Sequence, residues 1–107
     1  MIYSDFNQLL YLVITTEVDK RRAYEMANLL LGDNLIPCVT FKEIESHFWW
    51  MGEITKSKEI QLIIKCKKEN INKVCEKISE SHSYEVPEIL YFPVSANKDY
   101  YNWLNSF

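Results

Sequence analysis

Residues 8–16 read QLLYLVITT and residues 19–32 read DKRRAYEMANLLLG, and the change of pattern between them decides the fold. The first stretch contains the apolar run Leu9–Ile14, which shows no polar alternation. Such a run is typical of a central strand covered on both faces of a sheet. In the second stretch the apolar residues recur at helical spacing, namely at Ala23, Met26, Ala27, Leu30 and Leu31. We therefore predict a strand over 8–16 and a helix from about Asp19, with Gly32 as its left-handed C-terminal cap.

The alternation of strand and helix continues along the chain. Strand patterns cover Leu35–Ser46, Lys58–Cys66 and Val86–Ser95, with Met51-Gly52 as a turn. An amphipathic helix is predicted over Lys68–Ser81, and a short helix with Asn97 as a possible N-cap follows the last strand. The order β-α-β-β-α-β with an extra C-terminal helix predicts an α+β, ferredoxin-like fold with an antiparallel sheet. Right-handed crossovers would place both long helices on one face of that sheet.

The composition is that of a globular domain. A chain of 107 residues, 48% hydrophobic and 25% charged, suits a single domain over 1–107, with residues 1–7 as a short N-terminal arm. The net charge of −3 disfavours binding to nucleic acid. No apolar run approaches the ~20 residues that span a bilayer, and the first residues lack a signal-peptide layout. Three cysteines without a CxxC pair argue against a disulfide scaffold, so we predict a cytoplasmic protein with no membrane contact.

The two long helices cannot cover both apolar faces of the predicted sheet. Leu9–Ile14 and Ile60–Ile64 are apolar on both faces, whereas the two long helices can cover only one. An open apolar face would exceed what monomers normally expose, so a homo-oligomer that buries sheet faces is the simplest remedy. The alternative is that the short C-terminal helix folds over this face.

Catalytic signatures are missing from the sequence, and a metal ligand is the more concrete prediction. The chain has no GxGxxG, P-loop, GxSxG or HExxH motif, so we expect no enzyme. His82 is followed at three and six residues by Glu85 and Glu88, which supply nitrogen and oxygen ligands for a copper- or zinc-like ion. The alternative for His82 is a histidine that suits a helix C-terminus. Cys38 is a soft-metal ligand as a thiolate, and otherwise a small buried hydrophobe.

Two further groups of residues allow more than one interpretation. Phe48-Trp49-Trp50 could stack on single-stranded RNA, but a buried or interface cluster is favoured because the chain is acidic. Lys20, Arg21, Arg22 and Lys65 could contact an anion, although solvated cations are the default.

Several motifs resemble the CutA family of divalent-cation tolerance proteins over about residues 9–107. They are Cys38-Val39, Trp50-Met51-Gly52-Glu53-Ile54, Glu59 before Leu62-Ile63-Ile64-Lys65, His82-Ser83-Tyr84-Glu85-Val86-Pro87-Glu88-Ile89, Pro93-Val94 and Tyr100 with Trp103-Leu104. The resemblance implies a ferredoxin-like subunit in a compact cytoplasmic homotrimer. It also implies metal-ion tolerance with copper binding as the usual proposed activity and no established catalysis.

Departures from the family pattern concern the metal site. Some members of the family carry candidate copper ligands at the positions of Thr15, Ser81 and His82. Of these three residues, only His82 has a ligating side chain here. Ser83 replaces the usual proline. We therefore expect a homotrimer that binds copper(II) or another divalent cation, such as zinc, with modest affinity in clefts between subunits. The alternative is a PII-like trimer that binds a small anionic effector there.

Overall fold

The computed structural model describes residues 8–107, so the predicted N-terminal arm over 1–7 lies outside the described residues. The elements follow the predicted order. They are β1 (Leu9–Glu17), α1 (Lys20–Gly32), β2 (Cys38–Trp50), β3 (Glu53–Cys66), a 3-10 turn (Lys68–Asn70), α2 (Ile71–Ser81), β4 (Ile89–Ser95) and α3 (Lys98–Asn105). The strands form one antiparallel sheet in the order β2-β3-β1-β4, which is the ferredoxin-like arrangement.

Both long helices pack on one face of the sheet, as predicted. Alternate residues of β1 and β3, such as Val13 and Leu62, point into a core that also receives Ala23 and Leu30 from α1 and Ile78 from α2. All five side chains are completely buried. Asp19 begins α1 because its side chain accepts a hydrogen bond from the backbone N–H of Arg22 at 2.9 Å.

The second face of the sheet is only partly covered. It carries Leu12, Ile14 and Ile63, which alternate with the core residues, and on β4 their cross-strand neighbours Leu90 and Phe92. Leu90 and Phe92 are 52% and 41% exposed. Helix α3 occupies one end of this face, where its Tyr100 contacts Cys38 at the start of β2. The C-terminal helix therefore leaves the β4 side of the second face open.

Strands β2 and β3 extend beyond the rest of the sheet. Their pairing runs to Trp50 opposite Glu53, whereas β1 pairs with β3 only as far as Ile60. Residues 44–59 thus form a two-stranded hairpin arm. Its turn is at Met51-Gly52, as predicted, and both residues have positive φ, +51° and +80°, as a type I′ turn requires.

Several boundary predictions are corrected by the structure. Strand β2 begins at Cys38, so residues 35–37, predicted as strand, precede it, and a 3-10 turn occupies Lys68–Asn70 before α2 begins at Ile71. Gly32 is the last residue of α1 and not its left-handed cap; the positive φ of +57° occurs two residues later, at Asn34. Asn97 stands at the N-cap position of α3, but its side chain makes no cap hydrogen bond. The segment 86–88, predicted as strand, belongs to the loop before β4. Among residues 8–107, no helix is long and apolar enough to cross a membrane.

Candidate functional site

The loop formed by residues 82–88 folds back onto the end of β1 and creates a buried polar cluster. Helix α2 ends at Ser81, and His82 turns the chain into an extended conformation with ψ of 144°. The turn directs the imidazole inward, where its side chain is 0% exposed. The buried polar residues Thr16, Glu17 and Glu59 all contact this loop.

Both ring nitrogens of His82 are used by backbone groups. Nε2 lies 2.5 Å from the carbonyl oxygen of Thr16, and the backbone N–H of Tyr84 donates to Nδ1 at 3.0 Å. Because a carbonyl only accepts and an N–H only donates, Nε2 acts as the donor to Thr16 and Nδ1 as the acceptor from Tyr84. As it lies here, the imidazole presents no lone pair to a metal ion.

Glu17 is the residue that connects β1 to the loop, and sequence reasoning missed it. Its buried carboxylate accepts from the backbone N–H of Val18 at 2.8 Å and from that of Ser83 at 3.0 Å. The second oxygen also lies 3.9 Å from Nδ1 of His82. The sequence signal that identifies Glu17 is its charge, because it directly follows the uncharged strand sequence of residues 9–16. The carboxylate fixes the start of the loop against the end of β1.

Tyr84 and Glu59 form the other half of the cluster. The Tyr84 hydroxyl donates to Oε2 of Glu59 at 2.6 Å, and the Tyr84 ring lies 5.0 Å from the His82 ring. Burial raises the pKa of the Tyr84 hydroxyl, and the Glu59 carboxylate raises it further, because both disfavour a phenolate. Tyr84 therefore remains a hydrogen-bond donor throughout the neutral range.

The four predicted metal ligands are not brought together within one chain. Glu85 and Glu88 are exposed in the loop, close in sequence to His82. Cys38 pairs with Lys65 on β3, whereas Thr16, which contacts His82, pairs with Gln61. Four residues of strand, roughly 13 Å, therefore separate Cys38 from the surroundings of His82. Within residues 8–107, no three His, Cys, Asp or Glu side chains are close enough to hold a metal ion.

Two residues depart from the family pattern at candidate ligand positions, Ser81 and Thr15, and the structure shows what surrounds each. The Ser81 hydroxyl donates to the carbonyl of Lys77 at 2.7 Å, so it closes the last turn of α2. The Thr15 hydroxyl is buried in the core side of β1, and no hydrogen-bond partner is present for it among the described residues. Neither side chain supplies a ligand to the loop.

The candidate anion contacts are each paired with another group. Lys20 lies 2.8 Å from Glu43, and Arg21 and Arg22 lie 3.0 Å and 3.9 Å from Glu25. Lys65 is directed at the sulfur of Cys38, 3.9 Å away. These cations are separated into small groups and do not converge on a common anion site. The structure thus offers no specific support for the effector interpretation.

The aromatic cluster Phe48-Trp49-Trp50 lies on the hairpin arm and not in the core. Trp49 is 71% exposed, and Phe48 and Trp50 are also exposed. These side chains are therefore available for contact with another molecule.

A family model described as CutA1 divalent ion tolerance protein matches residues 11–106 of the sequence. The chain belongs to the CutA family. A divalent-cation tolerance protein CutA from Pyrococcus horikoshii is 35% identical over 94 residues, which cover 87% of this chain and 92% of that protein. A CutA from Yersinia pestis is 33% identical over 96 residues, covering 88% and 81%. The family resemblance drawn from the motifs is confirmed.

Solved CutA structures share the fold. The structure of CutA from Synechococcus elongatus has a TM-score of 0.89 at 27% identity and covers 94% of this chain and 91% of its own. CutA1 from Oryza sativa gives a TM-score of 0.86 at 29% identity, with 92% of each chain covered. The ferredoxin-like prediction is thereby confirmed for the described residues.

Proposed function

We propose that this member of a divalent-cation tolerance family acts as a non-catalytic homotrimer that binds a divalent cation, copper(II) or a similar ion, in clefts between subunits. The observation that carries the proposal is the apolar surface left open on one subunit. The second face of the sheet exposes Leu90 and Phe92, and the hairpin arm exposes Trp49. Burial of such surface between copies stabilises an assembly and creates clefts along its edges.

Assembly can be tested with two substitutions on one strand. Phe92 lies on the second face of β4, whereas its neighbour Tyr91, 60% exposed, lies on the helix side. We expect Phe92→Glu to dissociate the oligomer in sedimentation equilibrium and Tyr91→Glu to leave it intact. If both variants keep the wild-type mass, or if the wild type is a monomer, the sheet-face proposal is wrong.

The metal ligands that we propose are His82, Glu85, Glu88 and Cys38. Glu85 and Glu88 are accessible carboxylates at the open end of the loop. Imidazole is a good ligand for copper and zinc, but His82 must first release the N–H of Tyr84 or the carbonyl of Thr16. We therefore expect copper binding to require movement of the loop, with modest affinity. Cys38 contributes only where assembly brings it to another subunit's loop.

Native mass spectrometry of metal-stripped protein, titrated with copper(II), tests this site. We expect a trimer that takes up three ions, with weaker uptake in the double variant Glu85→Gln/Glu88→Gln. Glu69→Gln, an exposed carboxylate on the 3-10 turn, is the matched control. Uptake that is equal in all three proteins would contradict the loop as the metal site. His82→Gln then separates binding by imidazole from binding by carboxylate alone.

We also propose that the protein is cytoplasmic. Cys38, Cys66 and Cys75 are all free thiols, which suits a reducing compartment. A CutA from Archaeoglobus fulgidus, 28% identical, is described as a periplasmic divalent cation tolerance protein. Fractionation of cells that express the untagged chain distinguishes the two compartments, and recovery in the periplasmic fraction would contradict the proposal.

A further inference from the structure

Two buried acceptor atoms lie side by side under the backbone of residues 83 and 84. Oε2 of Glu17 accepts from the N–H of Ser83, and Nδ1 of His82 accepts from the N–H of Tyr84, each at 3.0 Å. The two acceptor atoms come from different elements, the end of β1 and the end of α2, yet they lie only 3.9 Å apart. Both side chains are at most 1% exposed. Two consecutive N–H groups of the loop therefore cover a nitrogen and an oxygen that neighbour each other.

The other polar atom of each side chain is held at the end of β1. Nε2 of His82 donates to the carbonyl oxygen of Thr16, and Oε1 of Glu17 accepts from the N–H of Val18 at 2.8 Å. Histidines that bind metal ions almost always donate their second N–H in this way, and ligating carboxylates are hydrogen-bonded as well. Neither contact involves the backbone of residues 83 and 84. The two side chains can therefore keep their orientation when that backbone moves away.

The atoms under the loop form a donor set that suits zinc or copper(II), because both ions accept imidazole nitrogen and carboxylate oxygen. With metal–ligand distances of about 2.0–2.2 Å, two ligands of one ion lie roughly 3.0–3.5 Å apart. Glu17 and His82 thus need to approach each other by less than about 1 Å. Their present partners are N–H groups, which carry partial positive charge, so a cation would take the place of donors of the same sign.

We propose that Glu17 is a cation ligand together with His82, in a site that opens when the backbone N–H groups of residues 83 and 84 move off these two side chains. Such a site rests on the proposed function and gives the cation bound at the loop a buried anchor. Nδ1 is the ligating nitrogen, because Nε2 stays on Thr16. The remaining coordination positions are open to water and to the carboxylate of Glu85, which follows in the same loop.

A purely structural role for Glu17 predicts the opposite response to substitution. If the carboxylate only held the loop, Glu17→Gln would ease opening and strengthen cation binding, because more of the protein would be in the open form. If the carboxylate is a ligand, the same substitution removes a donor. Loss of groups that merely orient a ligand costs about 10–100-fold in metal affinity, so we expect zinc binding to weaken at least about tenfold.

Isothermal titration calorimetry with zinc measures this difference on the full chain. Tyr84→Phe opens the loop by removing the hydrogen bond to Glu59 and leaves both ligands in place, so we expect zinc to bind about tenfold more tightly than to wild type. Glu69→Gln removes an exposed carboxylate and should leave the affinity unchanged. Binding to Glu17→Gln that equals or exceeds binding to wild type would overturn the proposal, as would wild type that takes up no zinc. Weaker binding to Tyr84→Phe would overturn the loop as the cover of the site.

Nuclear magnetic resonance of zinc-loaded wild type tests the site even if Glu17→Gln fails to fold. Zinc between the two ligands deprives the amides of Ser83 and Tyr84 of their acceptors, so their hydrogen exchange should accelerate, while the Val18 amide stays on Glu17 and remains protected. Unchanged exchange at residues 83 and 84 would overturn the buried site. If Glu85→Gln/Glu88→Gln still weakens binding in that case, the exposed loop carboxylates stand as ligands, so the two proposals fail separately.

Discussion

The substitution Glu17→Gln tests whether one buried carboxylate holds the loop 82–88 against the sheet. The carboxylate accepts from two backbone N–H groups, those of Val18 and Ser83. A glutamine retains one acceptor oxygen, and its NH₂ group then faces a backbone donor. One charge-assisted hydrogen bond is lost and one partly buried N–H is left without an acceptor.

The two effects give the size of the change. A hydrogen bond to a charged group contributes about 1.5–3 kcal/mol, and an unsatisfied buried donor costs about 1–3 kcal/mol. Removal of a buried charge offsets part of this loss, because the carboxylate no longer has to be desolvated. We therefore expect the free energy of unfolding to fall by about 2 kcal/mol.

Urea unfolding followed by circular dichroism measures the change, with all proteins at one chain concentration because assembly contributes to stability. Glu85→Gln is the matched control in the same loop, exposed and expected within about 0.5 kcal/mol of wild type. Hydrogen exchange at the Ser83 amide should accelerate only in Glu17→Gln. A loss below about 0.5 kcal/mol with unchanged exchange would refute the role of Glu17.

Three other substitutions test the remaining parts of the fold. Leu62→Ala empties a fully buried core position and should lower the free energy of unfolding by about 2–5 kcal/mol in urea titrations; a loss below about 1 kcal/mol would contradict its core role. Gly52→Ala should cost about 1 kcal/mol, because φ of +80° is strained for alanine, and no loss would contradict the turn geometry. The raised pKa of Tyr84 means that folded protein keeps this proton more strongly than the unfolded chain, so wild-type stability should decline above the ordinary value of 10.0. Melting curves at increasing pH should show a shallower decline in Tyr84→Phe than in the exposed control Tyr91→Phe, and parallel declines would refute the Tyr84–Glu59 contact.

The sequence predicted β1 from a continuous apolar run and both long helices from apolar residues at helical spacing, because burial leaves these patterns in the sequence. Val13 lies in the apolar run, and Leu30 recurs at helical spacing in α1. The hairpin arm was underestimated for the same reason. Residues 55–58 are polar, so no apolar period marks them, yet backbone pairing with β2 continues through them to the turn. Strand pairing beyond a core depends on backbone hydrogen bonds, which any residue except proline can make.

Cap and loop details depended on interactions that composition does not encode. Gly32 suits a left-handed cap by residue type, but α1 includes it and Asn34 takes the positive φ instead. Asparagine tolerates this conformation, so two neighbouring positions could each end the helix. Val86, although apolar and β-branched, is 70% exposed in the loop, because Pro87 cannot donate to a strand ladder directly after it.

The candidate site shows most clearly where sequence reasoning stopped. The identity of His82 suggested a ligand, but its lone pair is committed to Tyr84 and its proton to Thr16, a residue 66 positions away. Glu17 holds the same loop through Ser83, also 66 positions away. The imidazole can therefore reach a metal ion only when the loop moves, because the same hydrogen bonds hold the ring and order the loop. A pairing between a strand end and a distant loop is visible only after the chain has folded.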